Sequence, residues 1–237
     1  YDYIAAKLAG EGTIEVIASN TDNTPVTIKN GHNIVIDLKG NTITVDGIGT
    51  VESFINNAGT LEVKDTVGNG AINRTCGNPT LSLFVFYNTG ILNILSGTYT
   101  LNSNAYYPSV IKTVNTLNIS GGTLTNTSEA SWCAGISTGG GSVNITGGTI
   151  NATGTSNQTY GIIHNGNGTA ANINVSGGII NSKQLGITLQ DHSSGAGGNN
   201  GSNINISGTA EITGNASSIY NSYSIGTITI TGGKLSG

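Results

Sequence analysis

The internal repeat is clearest at Leu117-Asn118-Ile119-Ser120-Gly121-Gly122-Thr123-Leu124-Thr125. It returns as Val143-Asn144-Ile145-Thr146-Gly147-Gly148-Thr149-Ile150-Asn151 and as Ile173-Asn174-Val175-Ser176-Gly177-Gly178-Ile179-Ile180-Asn181. Weaker copies begin at Ile36, Leu61, Leu92, Ile204 and Ile228, at intervals of 24 to 31 residues. An internal period of this length is typical of solenoid proteins, in which each repeat packs against its neighbours in the stack.

Each copy predicts a strand, a glycine corner and a second strand. The first strand alternates apolar and polar residues, which buries one face, and the glycine pair permits a positive φ at the bend. A third apolar stretch precedes each copy, as at Val110-Ile111 and Gly161-Ile162. Three strands per coil, with successive coils paired in parallel ~4.8 Å apart, predict an all-β fold, a right-handed single-stranded parallel β-helix of about nine coils.

Stacking of the coils predicts columns of like residues along the axis. The first inward column consists of Ile36, Leu61, Leu92, Leu117, Val143, Ile173, Ile204 and Ile228. The second consists of Leu38, Val63, Ile94, Ile119, Ile145, Val175, Ile206 and Ile230. An outward column consists of Asn93, Asn118, Asn144, Asn174 and Asn205. Stacked asparagines form amide ladders in other β-structures, so these residues are interpreted as structural.

The domain prediction is one β-helix over residues 1–237, with stacked coils in 11–237. Tyr3, Ile4, Ala5, Ala6 and Leu8 predict a short helix, so residues 1–10 are expected to cap and shield the first coil. The chain has no methionine, and Gly237 falls within a repeat. We therefore expect a fragment of a longer protein, or an end that associates with another copy in head-to-tail fashion.

Composition excludes some classes of function. The net charge is −4 and only 8% of residues are charged, so the basic footprint of a nucleic-acid-binding protein is missing from the sequence. No apolar run approaches the ~18 residues that membrane insertion requires. Low charge with abundant Gly, Asn and Thr is typical of extracellular proteins, so the expected location is secreted or attached to the cell wall.

A family resemblance supports the fold. The segment from Ile4 through Thr13-Ile14-Glu15-Val16 to Asn33-Ile34-Val35-Ile36-Asp37-Leu38-Lys39-Gly40-Asn41-Thr42-Ile43 resembles the start of pectate-lyase-like right-handed parallel β-helix domains. The Ser-Gly-Gly-Thr repeats resemble those of large cell-surface proteins of Gram-positive bacteria. The resemblance covers nearly the whole chain and implies the fold. The superfamily includes lyases, hydrolases, adhesins and modules without activity, so the fold alone does not select a function.

Carboxylates do not form the pattern that an active site of this superfamily would need. Enzymes similar to pectate lyases use several Asp or Glu residues for calcium with a nearby Arg or Lys, and glycosidases pair two carboxylates. Here Asp37 and Glu62 are predicted to align on adjacent coils and could hold a calcium ion, but they supply only part of its shell. Lys39 and Lys64 are predicted beside them, so charge pairing is the simpler interpretation. No catalytic residue, metal or cofactor is assigned, and Arg74 has no acidic partner column.

Aromatic loop residues are the first candidate binding site. Tyr106, Tyr107, Trp132, Tyr160 and Tyr220, with Tyr223, precede or flank the third strands of successive coils. Exposed rings in a row would suit stacking on sugars or a protein contact. The alternative is that the rings cover the edge of the core under the loops.

Two histidines are the second candidate site. His164 begins one predicted loop, while Asp191 and His192 begin another that leaves the same edge. Two imidazoles and a carboxylate could bind a metal or carry out acid–base chemistry. The alternative is a solvated loop with scattered polar residues.

Two further features carry weaker expectations. Outward pairs such as Thr98 and Thr100 resemble the ice-binding face of some β-helices, but Thr is also a common exposed strand residue. Cys76 and Cys133 are predicted on coils at least ~9.6 Å apart, beyond the ~7 Å limit for a disulfide.

Three hypotheses of function follow. The leading one is a non-catalytic extracellular module for adhesion or for binding a polysaccharide or a host or cell-surface glycan. The second is a structural spacer that stacks end to end into filaments. The third is a polysaccharide lyase or glycoside hydrolase.

Overall fold

The computed structural model describes residues 10–46, 52–77, 82–166, 169–190, 201–222 and 226–237. These ranges contain strands and no helix. The first strands are β1 (Glu11–Glu15), β2 (Asn20–Thr21), β3 (Val26–Ile28), β4 (Asn33–Asp37), β5 (Thr42–Asp46), β6 (Ser53–Asn57), β7 (Thr60–Lys64), β8 (Ala71–Cys76) and β9 (Phe84–Asn88). The middle strands are β10 (Ile91–Ile94), β11 (Thr98–Ser103), β12 (Ser109–Thr113), β13 (Thr116–Ile119), β14 (Thr123–Asn126), β15 (Cys133–Thr138), β16 (Gly141–Ile145), β17 (Thr149–Ala152) and β18 (Thr159–His164). The last strands are β19 (Ala171–Val175), β20 (Ile179–Ser182), β21 (Leu185–Leu189), β22 (Asn203–Ile206), β23 (Glu211–Gly214), β24 (Ser217–Asn221), β25 (Ile228–Ile230) and β26 (Lys234–Ser236).

The strands form three parallel sheets, each made of every third strand. Sheet A runs from β1 to β25 and sheet B from β2 to β26, with nine strands each, and sheet C runs from β3 to β24 with eight. The predicted all-β, right-handed parallel β-helix is therefore confirmed. Within the described residues, eight coils contribute a strand to all three sheets and a further coil contributes only β25 and β26. This number of complete coils is slightly smaller than the nine expected. The N-terminal capping helix was predicted in residues outside the described ranges.

Aliphatic columns fill the shaft as predicted over most of its length. Ile119 lies opposite Ile145 in adjacent strands of sheet A, and both side chains are almost fully buried. The two columns continue in register through β7, β10, β13, β16, β19, β22 and β25. Each of the eight complete coils thereby contributes at least two aliphatic side chains to one continuous apolar core.

The register of the second coil differs from the prediction. Ile34 lies opposite Leu61 and Ile36 lies opposite Val63, so the predicted pairs Ile36 with Leu61 and Leu38 with Val63 were wrong by two residues. Ile34, Ile36 and Leu38 are all buried, so the alternation of apolar residues is compatible with both registers. Leu38 lies beyond the strand, where its N–H donates to the carbonyl of Lys64.

The amide ladder on the outer face of sheet A is confirmed. Each Nδ2 donates to the Oδ1 of the asparagine one coil before it, at 2.8 Å from Asn118, 2.9 Å from Asn144, 2.8 Å from Asn174 and 2.8 Å from Asn205. The corner that follows has the predicted left-handed glycine, with φ of 79° at Gly122. The ladder thus adds a hydrogen bond between coils to the backbone pairing, and the asparagines need no further function.

Candidate functional site

Four aromatic rings form a continuous row across three successive coils. Tyr106 and Tyr107 lie between β11 and β12, Trp132 immediately precedes β15, and Tyr160 lies in β18. The centroids of Tyr106 and Tyr107 are 4.5 Å apart, those of Tyr107 and Trp132 are 5.8 Å apart, and those of Trp132 and Tyr160 are 5.7 Å apart. The structure therefore brings together four of the predicted binding residues, which we call the aromatic row.

The aromatic row passes from the protein interior into solvent. Tyr160 is only 2% exposed and packs with Ala134, Ile163 and Leu185, whereas Tyr106 is 52% exposed. Tyr107 and Trp132 are partly exposed. Burial raises the pKa of Tyr160, and a hydrogen bond with Gln190 partly offsets that effect. Tyr160 thus covers the edge of the core. The accessible part of the row consists of Tyr106, Tyr107 and Trp132.

The backbone at two of these rings is in the left-handed region. Tyr107 has a φ of 55° and Trp132 a φ of 63°. This region costs residues with a Cβ roughly 1–2 kcal/mol, and such strain concentrates at functional sites. Tyr107 also precedes Pro108, which restricts its backbone further. The fold therefore holds two bulky aromatic residues in a conformation that the local sequence disfavours.

Asn126 holds the two loops together. Its side chain is fully buried, and Nδ2 donates to the carbonyls of Pro108 at 2.9 Å and Ala134 at 2.7 Å. Those two residues flank the loops that carry Tyr107 and Trp132. Asn126 was not predicted from the sequence. It occupies an inward column with Leu101 and Ala152, and a polar residue in such an apolar column is the signal that could have identified it.

His164 lies inside the β-helix. Its side chain is fully buried, and Nδ1 is 3.0 Å from the carbonyl oxygen of Thr138 on the preceding coil. Asp191 and His192, its predicted partners, lie outside the described residues, so that site stays a prediction. Within the described ranges, no three His, Cys, Asp or Glu side chains are grouped as metal ligands would be.

Tyr220 does not join the aromatic row. It lies in β24 opposite Thr188 and is 43% exposed, whereas the strand position equivalent to Tyr160 is occupied by Ser217 in that coil. Tyr223 is outside the described residues. Tyr220 is therefore an exposed ring outside the row and serves as a control for it.

The predicted alignment of Asp37 with Glu62 was wrong. Glu62 lies opposite Val35, and Asp37 lies opposite Lys64, because of the two-residue shift in the second coil. Both oxygens of Asp37 are engaged by Thr66, through its hydroxyl at 2.8 Å and its N–H at 3.1 Å. The prediction of Lys39 beside Lys64 fails for the same reason.

Charge pairing at these residues is confirmed, with ion pairs both within a coil and between neighbouring coils. Lys39 Nζ lies 3.6 Å from Asp37 and 3.1 Å from Glu15, and Lys64 Nζ lies 3.3 Å from Glu62. Asp37 and Glu62, the two carboxylates considered as calcium ligands, therefore already have cationic partners within the protein.

Asp65 organises a neighbouring turn. One carboxylate oxygen accepts the N–H of Gly40 at 2.7 Å and the other accepts the N–H of Gly70 at 2.6 Å. Burial raises the pKa of Asp65, but these and further backbone hydrogen bonds outweigh burial and leave the pKa below its ordinary value. The ionised form is therefore the one that the fold stabilises.

This shift predicts a pH dependence of stability. A carboxyl with a lowered pKa in the folded state contributes stability above its unfolded pKa of about 3.9, and this contribution is lost as the pH falls through the folded pKa. We expect Asp65→Asn to lower the free energy of unfolding at neutral pH by about 1–3 kcal/mol. Between neutral pH and the acid limit, its urea midpoint should decline less than that of the wild type. The exposed Glu11→Gln is the control, and a parallel decline in all three proteins would contradict this role.

Arg74 is directed inward, in the column of Val45 and Leu101. The guanidinium donates to the carbonyls of Glu52 and Phe84, and burial lowers its pKa to about 10. Cys76 and Cys133 are free buried thiols, in agreement with the separation that the sequence predicted. Burial raises the pKa of Cys133 to about 12, so this thiol is protonated at neutral pH.

A polar groove was not anticipated from the sequence. It has a volume of 610 Å³ and runs along the edge where sheet C turns into sheet A, lined by His32, Thr60, Thr89 and Asn115 among others. Among the residues that the structure describes, none forms a hydrogen bond with the buried Nδ1 of His32. The groove is a second surface on which a hydroxyl-rich ligand could be held.

Comparison of the chain with protein-family models, with curated proteins and with solved structures gives no match. Within the described residues, no helix has the length and apolar character needed to cross a membrane. The fold and the geometry of the sites are therefore the observations on which a function can be argued.

Proposed function

We propose that this chain is a non-catalytic extracellular β-helix module that binds a polysaccharide or cell-surface glycan through the aromatic row. One observation carries the proposal: Tyr107 and Trp132, in contact with each other, are both held in the left-handed backbone region. Backbone strain of this kind is concentrated at functional sites, so two strained aromatic residues in contact support a role in presenting their rings to a ligand.

The chemistry of the rings suits sugars. Tyrosine and tryptophan combine a large apolar face with a polar group, and binding sites for small ligands are lined by such side chains with few polar groups. Tyr106 supplies the most exposed ring, and Trp132 is fixed from below by its stack on Tyr160. A pre-ordered surface loses little conformational entropy when a ligand binds.

Removal of an accessible ring is the test. We expect Tyr106→Ala and Trp132→Ala each to weaken binding to the best ligand on a glycan array at least about tenfold, or 1.4 kcal/mol. Isothermal titration with that ligand gives the dissociation constants. Far-UV circular dichroism establishes that each variant retains the fold.

Two variants make the test specific. Tyr220→Ala removes an exposed ring outside the row and should bind like the wild type, while His32→Ala alters the polar groove. If binding survives both row substitutions but is lost in His32→Ala, the groove is the binding site and the row is not. Absence of glycan binding by the folded wild type contradicts the proposal as a whole.

A further inference from the structure

Lys112 reaches across two coils on the outer face of sheet C. It lies in β12, Ser137 is opposite it in β15, and Asn165 immediately follows β18. Lys112 Nζ donates to Ser137 Oγ at 3.2 Å and to Asn165 Oδ1 at 3.1 Å. Ser137 Oγ lies 3.5 Å from the same Oδ1. An amine from the fourth coil thus contacts a carboxamide from the sixth.

A glycine leaves room for this contact. Gly139 lies on the intervening coil, and a Cβ added there would be 3.7 Å from Lys112 Nζ and 3.1 Å from Val114 Cγ1. A longer side chain at that position would compete with the lysine for the space. The intervening coil therefore leaves the space in which Lys112 reaches Asn165.

The amine is suited to act as a nucleophile. Ser137 Oγ and Asn165 Oδ1, which accept hydrogen bonds from Lys112, are both neutral, and the described residues place no carboxylate within ion-pair distance of its Nζ. Burial lowers its pKa to about 8. Roughly a tenth of the lysine is then unprotonated at pH 7, far more than for an exposed lysine.

The carboxamide is suited to become an electrophile. Asn165 is followed by Gly166, whose backbone nitrogen can attack the Asn165 Cγ without hindrance from a Cβ. This attack forms a five-membered succinimide and releases the side-chain nitrogen as ammonia. The imide is an acyl donor, and it would form within contact distance of the Lys112 amine.

We propose that Lys112 and Asn165 become joined by a side-chain amide bond that links the fourth coil to the sixth. Nζ attacks the imide carbon that was Cγ, the bond from this carbon to the Gly166 nitrogen breaks, and a proton passes from Nζ to that nitrogen. The main chain is restored. The net reaction converts an amine and a carboxamide into an amide and one ammonia, with no oxidant and no cofactor.

Mass spectrometry of the intact chain tests the bond. After incubation at about pH 9, above the lysine pKa of about 8, we expect the mass to fall by one ammonia and to stay there. Proteolysis should give one branched peptide that contains both Lys112 and Asn165. A succinimide alone loses the same mass, but it hydrolyses to a carboxylate and gives no branched peptide.

Three variants isolate the reaction. Lys112→Arg keeps the cation without the nucleophile and should accumulate carboxylate at position 165, and Asn165→Gln should keep its full mass. Lys183→Arg changes an exposed lysine and should cross-link like the wild type. Circular dichroism confirms the fold of each. A folded wild type that keeps its full mass, or that loses ammonia without a branched peptide, would overturn the proposal.

Discussion

Replacement of Gly161 by alanine is expected to destabilise the β-helix by about 3 kcal/mol or more, although it adds a single methyl group. A Cβ at this position would lie 2.4 Å from Ile180 Cγ2 and 2.5 Å from the carbonyl oxygen of Gly186. Gly135 and Gly186 meet Ile150 and Ile212 in the same way on neighbouring coils. The column of glycines in sheet C therefore accommodates the isoleucines of sheet B, and neither the close-packed core nor the backbone of the next coil can move to admit a methyl group.

Urea unfolding measures this effect through the shift in midpoint at an unchanged m-value. Gly77→Ala is the matched control, because no atom of the described residues lies within 4 Å of a Cβ built there and its φ is not in the left-handed region. We expect that control to remain within about 0.5 kcal/mol of the wild type. Equal midpoints for Gly161→Ala and Gly77→Ala would show that Gly161 does not face the Ile180 side chain.

Asn88→Ala is the second large effect, with an expected loss of about 3 kcal/mol. Asn88 is fully buried, and its Oδ1 accepts a hydrogen bond from Asn57 Nδ2 at 2.8 Å. Its own Nδ2 donates to Thr113 Oγ1 at 3.0 Å and to the Thr116 carbonyl at 2.9 Å. The substitution leaves a cavity and removes partners from buried polar groups that water cannot reach.

The outer amide ladder provides the comparison for this variant. Asn93 also accepts a hydrogen bond from an asparagine on the next coil, at 2.8 Å from Asn118, but on the solvent side of sheet A. Since water can replace that bond, Asn93→Ala should cost less than about 1 kcal/mol. Similar losses for the two variants would mean that burial does not set the strength of an asparagine contact between coils.

The sequence determined the features that repeat. Alternating apolar residues separated by a glycine pair indicate which side chains point inward, and a period of 24 to 31 residues indicates what lies one coil above. The columns through Leu117 and Ile119 and the ladder through Asn118 follow directly. The register predicted for the second coil was wrong, because Ile34, Ile36 and Leu38 fit the alternating pattern equally well. Only the pairing with β7 selects between the two possible registers.

The tertiary structure decided what does not repeat. It placed Tyr160 under Trp132 and directed Arg74 inward, and it used Asn126 to join two loops. It also placed Lys112 within hydrogen-bond distance of Asn165, across an intervening coil. The physical reason is that periodicity reports the contacts of strands with their nearest neighbours. Loop packing, and contacts that skip a coil, depend on how the volumes of unlike side chains fit together once the coils are stacked.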